Sequence, residues 1–401
     1  MSNSLITCNI VAKEALAILQ NMLGFAANVN TDWQDEFSGN MSRGYAPGTT
    51  INIKKPPRYT YRAGRVAIPQ VTTETTIPLT LSQGGCDLNF TGLEKTLLLK
   101  QFENKMQAAV AAVCNEIDRQ GLDMARVNTA NAVGTPGTFP TTTATALAAI
   151  TQVNQKLDEN AAPRDKQRAL ILNPAMNASL IQGFAGLFNN QATLGTQYAK
   201  GMMVDSLGLA YAMDQNVTTH VNGAATPTNV NGAGQIGNAL SIVALAGGTL
   251  TRGSVITLPG VTAVNPQSRI STGSPQQFVI TADALVGATT LNIFPPLIVS
   301  GPFQNVTGSP TTGAAFTILG APSSSYGCNI GYHRDAFTLA MVPMAEPATG
   351  TGAKVSQMTD NGMTVKVTQF YDGVQDNNIM RLDVLFGWAA TYPELACKLV
   401  A

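Results

Sequence analysis

Charge is scarce in this chain. Lys and Arg number 24 and Asp and Glu number 24 among 401 residues, so charged side chains make up 12% of the sequence, about half the usual share. A surface with so few ions is poorly solvated unless something covers it, and a large assembly is one way to cover it. The balance of zero removes the electrostatic case for a dedicated nucleic-acid binder, although a local basic patch stays open. Histidine is nearly absent, with two residues, too few for a rich metal centre. The five cysteines, Cys8, Cys86, Cys114, Cys328 and Cys397, lie far apart without a CxxC pair. They suggest neither a disulfide framework nor a zinc site, and a reducing cytoplasm fits them. No stretch approaches the ~20 apolar residues of a membrane span. The N-terminus lacks a charged segment leading into an apolar run with a small-residue cleavage site, so the expectation is a soluble, unexported chain without a membrane partner. Length sets a prior of about two or three domains.

What is present has a changing texture. Residues 9 to 24 place Ile10, Val11, Leu16, Ile18, Leu19 and Leu23 at loose helical spacing around Lys13, Glu14 and Gln20, predicting an amphipathic helix that stops at Gly24. From about Trp33 to Gly92 the sequence is rich in Thr, Pro and Gly with short alternating runs, predicting two long strands of an extended hairpin or arm. Arg43, Lys54, Lys55, Arg58, Arg62 and Arg65 fall here, with no acidic residue between Glu36 and Glu74. Residues 93 to 127 predict a long straight helix, since Leu98, Phe102, Met106, Val110, Val113 and Ile117 recur every three or four positions. Thr91 and Glu94 have the capping-box spacing at its start. A linker from Asn128 to Thr143 precedes a second helix over 144 to 160, then a buried strand, Arg168 to Leu172, closed by Asn173-Pro174.

From Gln215 to His333 the charged residues are Arg252, Arg269 and Asp283. Short β-prone runs there, including Ile242 to Leu245, Val255 to Leu258, Phe278 to Ile280 and Leu297 to Val299, are separated by Gly, Pro, Asn and Ser. That pattern predicts a small all-β barrel or sandwich inserted into a host domain. Strand candidates follow at 336 to 342, 363 to 370 and 380 to 390, and the chain closes in a short apolar tail.

Chemistry-bearing motifs are few. Gly232, Gly234 and Gly237 satisfy GxGxxG, but no buried strand precedes them and no helix pattern follows, so a flexible loop is the better reading. His333, in Tyr332-His333-Arg334-Asp335, fits a structural hydrogen-bonding or interface role better than a metal or general-base role. There is no Gly-x-Ser-x-Gly elbow, Walker A loop or His-Glu-x-x-His. No catalytic residue, cofactor or metal site is predicted, and the chain is not expected to be an enzyme. The six cations of the arm admit three readings: gripping phosphates, docking on an acidic surface of a neighbouring subunit, or a solvated loop.

Several stretches, in their order and spacing, carry a resemblance. Arg252-Gly253-Ser254-Val255-Ile256 through Gly260-Val261 is similar to an R-G-D-x-I-x-x-x-G-V run, with Ser254 where Asp is usual. Phe337 to Pro343, Leu172-Asn173-Pro174, and Met380 through Gly387 to Pro393-Glu394, with Tyr392 replacing Arg, match further segments. Together they resemble the major capsid (coat) proteins of tailed bacteriophages with the Hong-Kong-97-type fold, and within these the coat proteins of short-tailed Salmonella phages that carry an inserted β-barrel.

The resemblance implies an α+β fold: N-terminal helix, extended β-hairpin arm, long spine helix and axial α/β domain, with a small all-β barrel inserted. The implied organisation is an N-terminal arm and helix at 1–39, the extended hairpin arm at 40–92, and the spine helix and linker of the peripheral domain at 93–143. The axial domain comes in two parts, 144–221 and 328–362, around the inserted barrel at 222–327, and peripheral-domain strands close the chain at 363–401. It further implies a virion protein, assembled in the host bacterial cytoplasm, whose copies form pentamers and hexamers and then an icosahedral shell enclosing double-stranded DNA by non-specific proximity. Arg43, Lys54, Lys55, Arg58, Arg62 and Arg65 would then contact an adjacent subunit. Scaffolding protein, portal protein and a decoration protein are the implied partners, with Glu14 a candidate scaffolding contact. The alternative is a β-rich decoration or binding protein of a virion, in which the 222–327 segment is the functional part.

Overall fold

The computed structural model describes residues 12–13, 15–17, 23–33, 50–62, 64–67, 69–72, 74–91, 99–184, 205–345, 353–360, 363–373 and 377–401, with the backbone alone at 90–91, 99–107 and 360. Cys8, Glu14, Arg43 and the helix start at 93–98, with its Glu94 cap, lie outside the described residues. The first strands are β1 (Thr50–Lys55), β2 (Thr75–Thr80), β3 (Ser82–Thr91), β4 (Asn131–Gly134), β5 (Arg168–Leu172), β6 (Ala210–Met213) and β7 (Thr219–Val221). Then come β8 (Gly237–Ser241), β9 (Val255–Val264), β10 (Ser271–Ile280), β11 (Thr290–Leu297) and β12 (Thr317–Ile318). The last are β13 (Ser325–His333), β14 (Thr338–Met341), β15 (Lys354–Asp360), β16 (Met363–Asp372), β17 (Asn377–Ala389) and β18 (Ala396–Val400). The helices are α1 (Leu99–Asn128), α2 (Thr143–Glu159) and α3 (Pro174–Phe184).

The chain divides into two compact units. The first comprises Met1–Ile53, Ile77–Gly121 and Thr338–Ala389. Its sheet is organised by β17, whose 13 residues pair with β3 along one edge and with β14 and β16 along the other. Apolar and β-branched residues alternate in β16, where Val365 and Val367 are buried, as a half-buried strand requires. Ile51, Ile53, Leu79, Leu81, Ala340, Val342 and Ala389 form an adjoining core; each fully buried Ile or Leu contributes roughly 1.5–3 kcal/mol.

The expected pair of long strands across 33–92 is corrected here. The β1–β2 ladder joins strands of six residues each. Pro56-Pro57 ends β1, because two consecutive residues without N–H groups cannot continue a ladder. Residues 82–91 do not return along β1; they follow β17 for ten residue pairs, Ser82↔Phe386 to Thr91↔Asn377.

Near its middle, α1 holds the turn that follows the N-terminal segment. Asp118, 2% exposed, accepts hydrogen bonds from the backbone N–H groups of Gly24 (2.8 Å), Phe25 (3.4 Å) and Ala26 (2.9 Å). These donors open the 3₁₀ turn Ala26–Asn28, where unpaired N–H groups favour an anion. One turn away, Trp388 donates from Nε1 to Ile117 O (3.2 Å), and its ring lies 5.3 Å from that of Phe25. Gly121 leaves room for both rings.

The second unit comprises Lys54–Thr76, Leu122–Phe337 and Ala390–Ala401. One sheet runs β4-β18-β13-β5-β6, with β7 also on β13. The α2 face Ala146, Ala149, Ile150, Val153 and Leu157 has helical spacing and is buried. It packs with Leu170, Leu172, Met176, Leu180, Phe184 and Leu399. Thr142 caps α2, accepting from Thr145 N (3.3 Å) while Thr145 Oγ1 accepts from Thr142 N (3.1 Å). Two expectations change here. The linker 128–143 contains β4, and the apolar tail is β18, which lies inside the sheet between β4 and β13. Lys398 disguised that strand.

The chain leaves the sheet after β7 and returns at β13, where Ser325 pairs with Val221. Between them β12-β9-β10-β11-β8 make a second, five-stranded sheet with its own core, including Leu240, Ile256, Leu258, Phe278, Ile280, Leu291 and Phe316. Ile242, expected to start a strand, makes an isolated bridge to Val230.

Candidate assembly surface

The segment between β1 and β2 is built by side chains. Past the two prolines, Gln70 substitutes for a strand partner: its Oε1 accepts from Thr60 N (2.8 Å) and its Nε2 donates to Thr60 O (2.7 Å). Tyr59 Oη and Thr72 Oγ1 close the next rung at 3.0 Å. Arg62 then donates to the carbonyls of Gly64 and Val66. The result is a pinned loop without a ladder. It leaves Tyr61 (93% exposed), Val66 (79%) and Val71 (90%) on the surface, apolar area that the described residues do not cover.

The structure separates the arm's cations. Lys54 pairs with Glu74 at 3.0 Å, both well exposed, a contact worth roughly 0–1 kcal/mol. Lys55 sits 4.0 Å from Glu394 and 5.1 Å from the Tyr392 ring centre. The Arg58 guanidinium stacks over Phe303 at 5.7 Å. Arg62 is spent partly on its own loop, and Arg65 is exposed. Lys54 and Lys55 thus have carboxylates inside the chain, and among the described arm cations Arg65 is left open to an outside acid.

A buried polar seam escaped the sequence reading. Arg126, near the end of α1, donates from Nε (3.0 Å) and Nη2 (2.6 Å) to Asp123 Oδ1, and its Nη1 lies 2.9 Å from His220 Nδ1. Since guanidinium can only donate, Nδ1 is the acceptor and Nε2 carries the proton. That proton points to Ser254 Oγ at 3.1 Å. Ser254 in turn meets Thr251 Oγ1 at 3.2 Å, and Thr251 donates to Val221 O at 2.8 Å. Three hydroxyl and imidazole donors therefore run one way, from His220 to the carbonyl of Val221. Beside them Lys398, 1% exposed, donates to Gly253 O at 3.0 Å. Gly253 has φ +93°, and a Cβ there would meet Arg126 Nη1 at 3.0 Å. Burial, with Lys398 and Arg126 nearby, pushes the His220 imidazole down to about 4. Burial also lowers the Lys398 ammonium to about 8. Ser254, the position where the resemblance expects Asp, completes this seam without a charge. A buried lysine in a five-residue apolar stretch was the available signal, and it read as a tail.

His333 is a structural residue. Its Nε2 lies 3.1 and 3.2 Å from the Asp165 carboxylate oxygens, and Nδ1 accepts from Asp335 N at 3.3 Å. The GxGxxG glycines form a turn: φ is positive at Gly232, Gly234 and Gly237, and β8, a strand, follows. Gln235 staples that turn by bonding Asn231 O, Gly232 O and Ser241 O. Among the described residues no three His, Cys, Asp or Glu gather to hold a metal ion, and no helix is long and apolar enough to cross a membrane. Cys86, Cys114, Cys328 and Cys397 are free thiols.

Comparison with known proteins bears on these features. No curated protein matches the sequence. A structure from Mycobacterium phage Che8 is 12% identical, covers 93% of this chain and 89% of that chain, and has a TM-score of 0.50; at that identity the likeness concerns fold alone. The mature capsid of bacteriophage PhiM1 is 8% identical, covering 88% of this chain and 81% of that chain, with a TM-score of 0.42. The CUS-3 coat protein I-domain is 26% identical over 26% of this chain and 96% of that chain, with a TM-score of 0.17. The model of the family described as P22 coat protein - gene protein 5 matches residues 86–399. The expected α+β capsid fold is met. The chain therefore belongs to the P22 coat protein family, as a major capsid protein whose copies build the phage head shell.

Proposed function

We propose that copies of this coat protein join into pentamers and hexamers that close an icosahedral shell around double-stranded DNA, and that the arm within residues 40–92 lies over a neighbouring copy. The observation that carries this reading is the arm's construction. A loop fastened by Gln70, Tyr59 and Arg62 loses little further entropy on docking, and it offers Tyr61, Val66, Val71 and Arg65 on its outer face. Heterologous contacts of this kind close into rings, and weak contacts repeated over many subunits sum to a stable shell. Arg43, Lys54, Lys55, Arg58 and Arg62 add to the arm's positive field. The 222–327 segment is the inserted barrel of this reading, between the axial parts at 144–221 and from 328 on; the second axial part, expected to run to 362, ends instead before Thr338, because β14 and β15 pair within the first unit's sheet. Scaffolding protein, with Glu14 as its contact, a portal and a decoration protein are its partners, assembly takes place in the host cytoplasm, and no catalytic step is needed.

Negative-stain electron microscopy with particle sizing tests this, on the protein expressed alone and beside the products of the neighbouring genes. Closed shells or polyheads are expected. Monomers or small rings in both preparations would instead favour the virion decoration or binding protein.

A further inference from the structure

We propose that Arg269 positions the arm: it ties the arm's base to two turns of the five-stranded β segment, so that this segment sets where the arm points. The inference rests on the reading of the arm as a subunit contact, and it concerns how that contact is aimed.

Arg269 lies in the turn between β9 and β10, which is closed by Arg269 N to Asn265 O (2.8 Å) and Asn265 N to Ile270 O (2.9 Å). Asn265 Oδ1 also accepts from the N–H groups of Gln267 (2.8 Å) and Ser268 (3.0 Å). Arg269 itself has φ +59°, a left-handed conformation uncommon outside glycine and here held by that turn. From this position its Nη2 donates to two carbonyls at once, Tyr59 O of the arm at 3.2 Å and Pro302 O at 3.3 Å. Pro302 belongs to a second fixed turn, where Asn305 bonds Ile298 N (3.0 Å) and Pro296 O (2.6 Å).

The adjacent residues make the reciprocal contact. Arg58 of the arm stacks on Phe303. Two consecutive arm residues, 58 and 59, therefore meet two consecutive residues of the β segment, 302 and 303, through one arginine from each side. Both bonds leave one nitrogen, Nη2, whose place at the end of the longer, planar guanidinium a lysine ammonium does not reproduce. Among the described residues the arm has no ladder beyond Lys55 to orient it, so these contacts, with the bonds of Gln70, Tyr59 and Arg62 within the arm, fix its direction.

Hydrogen exchange on the full chain before assembly tests the proposal, read at the Thr60 amide and at Phe278 and Val279 in the β core. In Arg269→Ala the Thr60 amide should exchange roughly tenfold to a hundredfold faster, the size of one lost charge-assisted hydrogen bond, with the core amides unchanged and shell yield reduced. Arg269→Lys should recover only part of the protection. Unchanged exchange at Thr60 in Arg269→Ala would overturn the proposal. A faster arm with full shell yield would support the tether while showing that the arm is not the subunit contact. Should the core amides also accelerate, Arg58→Gln, which leaves both turns intact, decides: faster exchange at Thr60 supports the tether, and none overturns it.

Discussion

At His220 the direction of three hydrogen bonds is set by one fact, that the Arg126 guanidinium has no lone pair to accept with. The site accommodates neutral imidazole and resists imidazolium, because Arg126 and Lys398 face it and Asp123 is already engaged by Arg126. Tyr326, whose ring centre lies 5.5 Å away, and the buried Cys328 thiol bring no negative charge, since burial raises both. The unfolded chain thus binds this proton more readily than the folded chain. Stability is full above the ordinary imidazole value near 6.5 and falls as pH drops toward about 4, by up to about 3 kcal/mol. Urea midpoints measured between pH 7 and 5 should therefore fall in the natural chain and stay flatter in His220→Gln. An imidazole titrating at or above 6.5 by NMR would contradict this direction. The Lys398 ammonium has the same sign in a higher window: its burial opposes folding below about 8 and is relieved as pH rises toward the ordinary lysine value. None of this was legible in the sequence, where His220 ends a Thr-rich run and Lys398 interrupts an apolar tail. The seam joins residues more than 90 positions apart, and no local spacing encodes that.

Elements differed in how plainly they could be read. Helices α1 and α2 and strands β5, β14, β16 and β17 were visible because each buries one face or is buried throughout, which leaves a period in the sequence. Strands β4 and β18 left none: each is short, and β4 is Asn-Ala-Val-Gly. β4 is held by its parallel pairing with β18, and β18 by that and by its antiparallel pairing with β13. The paired arm strands were overread because alternation says that a segment is extended and is silent about its partner. Within α1, Gly121 also has a tertiary cause. Alanine gains about 1 kcal/mol over glycine in a helix interior, yet a Cβ at 121 would lie 2.5 Å from the Trp388 ring and 2.8 Å from Phe25. Overpacking of this kind costs about 1–3 kcal/mol. Gly121→Ala should lower stability by up to about 2 kcal/mol, read as a reduced denaturant midpoint; a raised midpoint would mean that Trp388 swings aside at little cost.

For the whole molecule, the decisive quantity is how little charge the chain spends on its own solvation. With 24 cations against 24 anions, no global field drives or opposes association, so shell formation should turn on local contacts. Arg65→Glu, on the outer face of the arm and without the loop-building role of Arg62, should cut shell yield severely while leaving the urea midpoint within about 0.5 kcal/mol of the natural chain. Raised salt should weaken assembly of the natural chain modestly. Shells of normal yield from Arg65→Glu would move the contact away from the arm's charge and onto Tyr61, Val66 and Val71. Composition and periodicity determined the long helix, the β-rich middle segment and the basic arm, because each is written in neighbouring residues, while the capsid fold class came from the resemblance carried by short motifs in order. Only tertiary structure decided which arm cations are neutralised at home, how Arg269 of the β segment reaches the arm while Arg58 of the arm reaches the β segment, and why a lysine lies buried in the last strand. Each of those depends on groups far apart in the chain meeting at hydrogen-bond distance, where burial and sign of charge settle the outcome.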